Sequence, residues 1–299
     1  MVMAAGILWG CMGLFVRLLN GYGLYSIQLS SIRFIFGTTA LCLFALIYDR
    51  SLFRIKLKDL WLFILAGVLG ITCTSIFYFT TISGEGMGVA AVLMYLAPAI
   101  VTVLSRIFFG ERFTTARVTA CVLAVVGCAL VSGVFSISGI SLKYLFTGIM
   151  SAVCYGSYSI ISKLILQRGY RPFTVTIWAF IASTAASLPF TDFPQILSVM
   201  SAHPVTILYG AALAVPICTA AYVLFTCGLK FIAPGKASVL ASVEPVTAAV
   251  IGAAVFREHM DAMNILGVAL VISSIAVMEA GRGSIFRHRG TNSAPVRGR

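Results

Sequence analysis

Ten stretches of this chain are long and apolar enough to cross a bilayer, and they dictate nearly everything the backbone can do. They run over about 2–20, 25–48, 60–83, 88–109, 116–135, 144–166, 173–191, 204–229, 237–256 and 262–280. At about 1.5 Å of rise per residue, about 20 apolar residues cover the roughly 30 Å of hydrocarbon. Lipid offers no water to backbone N–H and C=O groups, so a crossing segment must be a helix or part of a closed barrel. The short alternating segments of a barrel are missing from the sequence. The expected fold class is therefore an all-α integral membrane protein with ten transmembrane helices. Connections as short as Gly84-Glu85-Gly86-Met87-Gly88 force the helices they join to be antiparallel neighbours.

Composition agrees. Hydrophobic residues make up 60% of the chain and charged residues 10%, against roughly 25% charged in a soluble domain. A net charge of +12 would suit nucleic acid, but the basic residues sit in short connections and an Arg-rich tail. That pattern sets topology, and the expected solvent is the lipid bilayer, with no nucleic-acid partner. With the N-terminus inside, the inner connections hold Arg50, Arg54, Lys56, Lys58, Arg106, Arg112, Arg117, Lys163, Arg168, Arg171, Lys230 and Lys236. The tail adds Arg282, Arg287, Arg289, Arg297 and Arg299, making seventeen, against Lys143 and Arg257 outside. The bias predicts a multi-pass protein of the cytoplasmic membrane with both termini cytoplasmic. Residues 2–20 lack a basic leader and a small-residue cleavage site, so they read as the first span. The eight cysteines all lie in apolar runs without a C-x-x-C pair, which argues for buried thiols and against a disulfide framework or a metal site.

The chain also repeats itself. At an offset of 147 residues, Gly88–Leu93 falls on Gly235–Leu240, Pro98 on Pro245, Val103 on Val250, Glu111 on Glu258 and Leu123 on Leu270. At 146, Trp9-Gly10 meets Tyr155-Gly156 and Arg17 meets Lys163; at 145, Cys73-Thr74 meets Cys218-Thr219. Each half, 2–135 and 144–280, is expected to be one copy of a five-helix unit, followed by a basic, disordered cytoplasmic tail over 281–299. Five is odd, so the second copy enters the membrane from the other side. Such an inverted repeat lets two halves rock about a central site and open it to either compartment, a common plan for secondary transporters.

These motifs carry a family resemblance. Trp9-Gly10, the Leu-x5-Pro helix followed by Phe109-Gly110-Glu111, and its echo Ala241-Ser242-Val243-Glu244-Pro245-Val246 with Phe256-Arg257-Glu258 resemble the EamA family of the drug/metabolite transporter superfamily. The likeness covers nearly the whole chain before the tail. It implies ten helices, cytoplasmic termini, and export or exchange of amino acids or other small metabolites. Small four-helix relatives use a carboxylate in their first helix. Residues 2–20 contain no Asp or Glu, so proton-coupled export of lipophilic cations by that route is not expected.

Glu244 is the first candidate for binding. It lies about 10 Å into the ninth stretch, where a lone carboxylate costs roughly 2–3.5 kcal/mol. It should face a watery cavity or a partner, binding a cationic group or a coupling proton, or else fix helix packing. Pro245 and its counterpart Pro98 lack an N–H and clash with the carbonyls of Ala241 and Met94, so both mark kinks or hinges. Tyr95 lies one turn before Pro98 and shares its face. Trp9 and Tyr155, repeat equivalents beside small-x3-small spacings, either line the cavity or pack between helices. Tyr78 and Trp178 are weaker versions of the same idea. Arg33, inside the second stretch, can bind a substrate carboxylate in a fork geometry or snorkel. Lys236 at an inner mouth, and Arg17 with Lys163 near opposite faces, read as gate charges or as anchors. Glu111 and Glu258 read as loop or capping groups.

The chain lacks H-E-x-x-H, G-x-S-x-G and G-x4-G-K-[ST], so no catalytic residue, metal or other cofactor is expected, and the chain does not read as an enzyme. Transport energy must come from a gradient or an exchanged solute. The favoured reading is a secondary transporter, exporter or exchanger, of small metabolites such as amino acids. Alternatives are a drug or activated-sugar carrier, a channel or membrane scaffold, and, last, a membrane-embedded enzyme. The expected assembly is a monomer or weak dimer.

Overall fold

A computed structural model describes residues 1–111, 113–132 and 140–289. Regular structure among them is helical throughout. In chain order the α-helices are α1 (Val2–Gly10), α2 (Met12–Asn20), α3 (Ser26–Tyr48), α4 (Leu60–Gly67), α5 (Thr74–Met94), α6 (Ala97–Phe109), α7 (Thr115–Val131) and α8 (Leu142–Gln167). There follow α9 (Pro172–Ser187), α10 (Phe193–Ala202), α11 (Val205–Ala212), α12 (Ala220–Phe231), α13 (Pro234–Ala241), α14 (Val243–Phe256) and α15 (Ala262–Arg289). π-Helical turns at Val68–Cys73 and Leu213–Thr219 join α4 to α5 and α11 to α12.

Among the described residues, eight helical stretches rather than ten are long and apolar enough to cross a membrane by length and composition. The difference lies in the third to fifth expected stretches. Leu57–Met94 runs as one stretch, reversed only at Gly86, whose φ of +84° requires a residue without a Cβ. Ala97–Phe109 and Thr115–Val131 are shorter. The last helix continues to Arg289, beyond the expected boundary at 280, because Gly281–Arg289 contains no helix-breaking proline. Of the tail expected to be disordered, 290–299 lie outside the described residues.

Two of the expected stretches are cut in mid-course. The fourth, 88–109, breaks at Tyr95-Leu96 and the ninth, 237–256, at Ser242. Pro98 and Pro245 sit in the first turns of α6 and α14, where a missing N–H leaves no intrahelical bond unmade. α6 and α14 end in matching left-handed caps, Gly110 (φ 65°) and Arg257 (φ 55°).

The helices of the N-terminal part pack on those of the C-terminal part. α5 lies along α8 and α7 along α15; α1 packs on α12, α13 and α14; α8 receives α5 and α6; α4 and α3 both meet α9. Contact is close where small residues face each other. A Cβ on Gly127 would come within 2.8 Å of the Gly267 carbonyl, and one on Gly267 within 2.7 Å of that of Gly127. Hydroxyl pairs stitch the helices: Thr38 with Thr184 (2.7 Å), Thr72 with Ser183 (2.8 Å), Thr81 with Thr147 (2.8 Å), Tyr158 with Thr226 (2.9 Å). Each contributes about 0.6 kcal/mol in lipid. One end of the bundle gathers the 49–59 connection, the turn at 168–171, the Glu111 loop and the α12–α13 joint. It carries Arg50, Arg54, Lys56, Lys58, Arg168, Arg171 and Lys230, and is called the basic end here.

Candidate functional site

Glu244 is the second residue of α14, directly after the break at Ser242. Its carboxylate therefore lies in a first turn, at the positive end of a helix dipole. It is half-buried, and among the described residues no hydrogen bond or ion pair reaches it. Its charge acts on four phenols, Tyr78, Tyr95, Tyr155 and Tyr222, and on the Cys128 thiol. Pro98 and Tyr95 belong to the same level of the bundle, at the break of the other cut span. α6 and α14 thus both begin at the depth of the site, an arrangement that presents two half-helix N-termini to a ligand.

Arg33, on α3, is half-buried. Its Nη1 donates to the Met12 sulfur at 3.0 Å and its Nη2 to the Ser30 hydroxyl at 3.1 Å. Among the described residues its Nε is buried without a partner and no carboxylate pairs with the guanidinium. The guanidinium acts electrostatically on Tyr78 and Tyr222, two of the phenols that also feel Glu244. The two charged groups therefore share Tyr78 and Tyr222 as neighbours. The cut in the first span at Cys11 runs between them: Met12 touches Arg33, while Gly10 packs so tightly on α14 that a Cβ would lie 2.6 Å from the Glu244 carbonyl.

Trp9 backs this wall instead of lining it. It is 6% exposed and boxed by Tyr155, Tyr222 and Phe225, with ring centroids 6.1, 5.2 and 5.4 Å away. Tyr155 and Tyr222 stay half-buried. Tyr95 packs beside Cys128, Val246 and Val271. Trp178 lies elsewhere, donating to the Phe53 carbonyl at 3.3 Å. Tyr222 is a residue that sequence reasoning missed. The available signal was its position just after a π-turn, at the 145-residue offset from Phe77 and next to the counterpart of Tyr78.

The two cut spans meet on one side of their breaks and part on the other. α13 packs against α6 on the basic side, whereas the Gly86–Met94 part of α5 has no comparable contact with α14. Gly13 in α2 also has nothing within 4 Å of where a Cβ would stand. The helices thus part on the side of Glu244 away from the basic end. A lateral cleft of about 300 Å³ between α3 and α5, with Ser30, Phe34, Ser75 and Ser187 in its walls, reaches the hydroxyl that Arg33 holds.

The three expected gate charges are tied up. Lys163 donates to the carbonyls of Leu229 (2.5 Å) and Ile232 (3.1 Å), capping the end of α12. Arg17 pairs with Glu258 and lies 4.4 Å over the Phe256 ring. Lys236 pairs with Glu279 at 2.7 Å. Glu111 accepts from Ser105 (2.6 Å) and Arg117 (2.7 Å). Among the described residues no three His, Cys, Asp or Glu side chains gather as a metal site.

Comparison with known proteins returns one family. The model of the EamA-like transporter family matches residues 1–133 and again 142–279. An uncharacterized transporter of Archaeoglobus fulgidus is 26% identical over 92% of this chain and 94% of its own length. The uncharacterized inner membrane transporter YicL of Salmonella typhimurium is 26% identical over 93% of both. A probable terminal-alkyne amino-acid exporter of Streptantibioticus cattleyicolor is 27% identical over 57% of this chain and 56% of its own. A crystal structure with 20% identity superposes with a TM-score of 0.77 over 95% of this chain and 97% of that one, a likeness of fold.

Proposed function

The chain belongs to the EamA-like transporter family, and from that premise we propose that it is a secondary transporter carrying a zwitterionic small metabolite, an amino acid by class, by alternating access. The feature that carries the substrate class is a carboxylate and a guanidinium, neither in an ion pair among the described residues, that share Tyr78 and Tyr222 as neighbours. Glu244 suits an ammonium, Arg33 a carboxylate, and the phenols of Tyr78, Tyr95, Tyr155 and Tyr222 the hydrogen bonds between. The relative named as an amino-acid exporter supports the same class.

The mechanism rests on ten spans in two inverted halves, 2–135 and 144–280, with both termini cytoplasmic in the plasma membrane. Four features support the inversion. The family model matches twice. The π-turns begin at Val68 and Leu213, at the 145-residue offset seen in the sequence. The helix breaks at Tyr95 and Ser242 and the left-handed caps at Gly110 and Arg257 keep the 147-residue offset. Packing is reciprocal: α1 on α12 and α14 answers α8 on α5 and α6. Reciprocity names the second state. In it, the Gly86–Met94 segment closes on α14 while α13 leaves α6, and the site faces the basic end. A proton on Glu244 or an exchanged solute supplies the drive.

Counterflow in proteoliposomes tests this. Protein preloaded with unlabelled amino acid is expected to accumulate the labelled one saturably; leakage that does not saturate would make it a channel. Single cysteines in the turns 110–115 and 257–261 are expected to label from opposite sides. Labelling from one side would end the inverted arrangement.

A further inference from the structure

The basic end carries a second concave site, far from Glu244, where the 49–59 connection meets the turn at 168–171. This bowl encloses about 500 Å³ and is lined by Lys56, Lys58, Asp59, Trp61 and Arg168. Its one acid is already consumed. Asp59, with its side chain 5% exposed, accepts from the Arg168 guanidinium and from the Tyr170 hydroxyl at 2.6 Å. The Tyr170 oxygen in turn accepts from the backbone N–H of Lys56 at 3.0 Å. That network fixes the bowl's shape and leaves its two lysines free. Neither the Lys56 nor the Lys58 ammonium has a partner among the described residues, and Arg168 is 44% exposed, with N–H groups to spare. The lining then carries three positive groups against one negative.

The rim is apolar. Trp61 is 53% exposed and Leu57 85%, at the start of the apolar stretch Leu57–Met94. An indole at that depth belongs to the membrane–water boundary. The bowl is therefore cationic where water begins and apolar where acyl chains begin. The corresponding strap at the other end of the bundle is built without cations. There Gln195 donates to the Gly23 carbonyl at 3.0 Å and pairs with Gln28, and Tyr22 packs on His203 with centroids 5.1 Å apart.

We propose that the bowl binds the phosphodiester headgroup of an anionic phospholipid, with Lys56, Lys58 and Arg168 on the phosphate and Trp61 against the acyl-chain root. A lipid held there bridges the 49–59 connection of the N-terminal half to the 168–171 turn of the C-terminal half. Three cations around one phosphate give charge-assisted bonds that a zwitterionic headgroup would partly cancel. The proposal requires only that the protein sits in a membrane, so it stands or falls separately from the transported substrate.

The test is lipid retention by the full chain in detergent, followed by native mass spectrometry and by thermal unfolding with added lipid. Phosphatidylglycerol is expected to survive delipidation that removes phosphatidylcholine, and to raise the unfolding temperature. Each lysine near an anionic surface contributes about fivefold, so Lys56→Gln with Lys58→Gln is expected to weaken retention about 30-fold. Arg54→Gln with Lys230→Gln removes the same charge outside the bowl and is expected to change retention less than about threefold. Equal losses in the two double variants would overturn the site in favour of a diffuse basic surface. Phosphatidylcholine held as tightly as phosphatidylglycerol would overturn the anionic preference. Inorganic phosphate stabilising as well as the lipid would make it a free-anion site.

Discussion

Replacing Glu244 with Gln separates binding from folding, because the structure predicts opposite effects on the two. A carboxylate at mid-membrane depth costs roughly 2–3.5 kcal/mol, and among the described residues Glu244 has no hydrogen bond or ion pair to recover it. The α14 dipole returns about 0.3–1 kcal/mol. Glu244→Gln should therefore stabilise the empty protein by about 1–3 kcal/mol. Binding goes the other way. An ammonium 4 Å from the carboxylate gains about 4 kcal/mol at an effective dielectric constant of about 20. Desolvation reduces that to about 2–3 kcal/mol, or roughly a 30- to 140-fold rise in half-saturation. The assay is amino-acid counterflow in proteoliposomes at graded concentration, beside thermal unfolding of the same preparations without substrate. A variant that melts lower and transports with unchanged half-saturation would refute the reasoning and make Glu244 a packing residue.

Arg33→Gln should discriminate among ligands: binding of amino acids falls at least tenfold while amines lacking a carboxylate keep their affinity, read by competition in the same counterflow assay. Gly10→Ala places a Cβ 2.5 Å from the Thr247 Cβ and 2.6 Å from the Glu244 carbonyl, and overpacking of this kind costs about 1–3 kcal/mol; an unchanged melting temperature would mean α1 and α14 are looser than described. Gly13→Cys, where the space is open, should react with a water-soluble thiol reagent from the side opposite the basic end, and substrate should slow the reaction. At the basic end, hydrogen bonding from Ser51 and then Arg171 lowers Asp49 from 3.8 to about 2. A depressed carboxyl contributes stability that is whole above its unfolded value and lost as pH falls through the folded one. The melting difference between the parent and Asp49→Asn should accordingly persist at pH 5 and vanish as pH approaches 2; a difference unchanged across that window would exclude the ionised strap.

The sequence alone determines the solvent and the backbone form, because apolar runs of this length leave no alternative to helices in lipid. It also locates the discontinuities: Pro98, Pro245 and Gly86 stand at points where a helix begins or reverses, for local reasons that need no partner. An acid and a base well inside apolar stretches, Glu244 and Arg33, are legible for the same reason, since each is expensive wherever it lies. What each residue faces is not legible. Helices that are apolar all round carry no periodic signal of orientation, so the sequence could not tell that Trp9 would be packed behind Tyr155 and Tyr222. Nor could it foresee that Arg17, Lys163 and Lys236 would be held by Glu258, two carbonyls and Glu279. Tertiary structure decided those pairings, and with them the one-sided closure of α13 on α6 and the joining of Lys56, Lys58 and Arg168 in one bowl. Such contacts depend on how whole helices cross and rotate, which is settled by packing between residues tens to hundreds of positions apart.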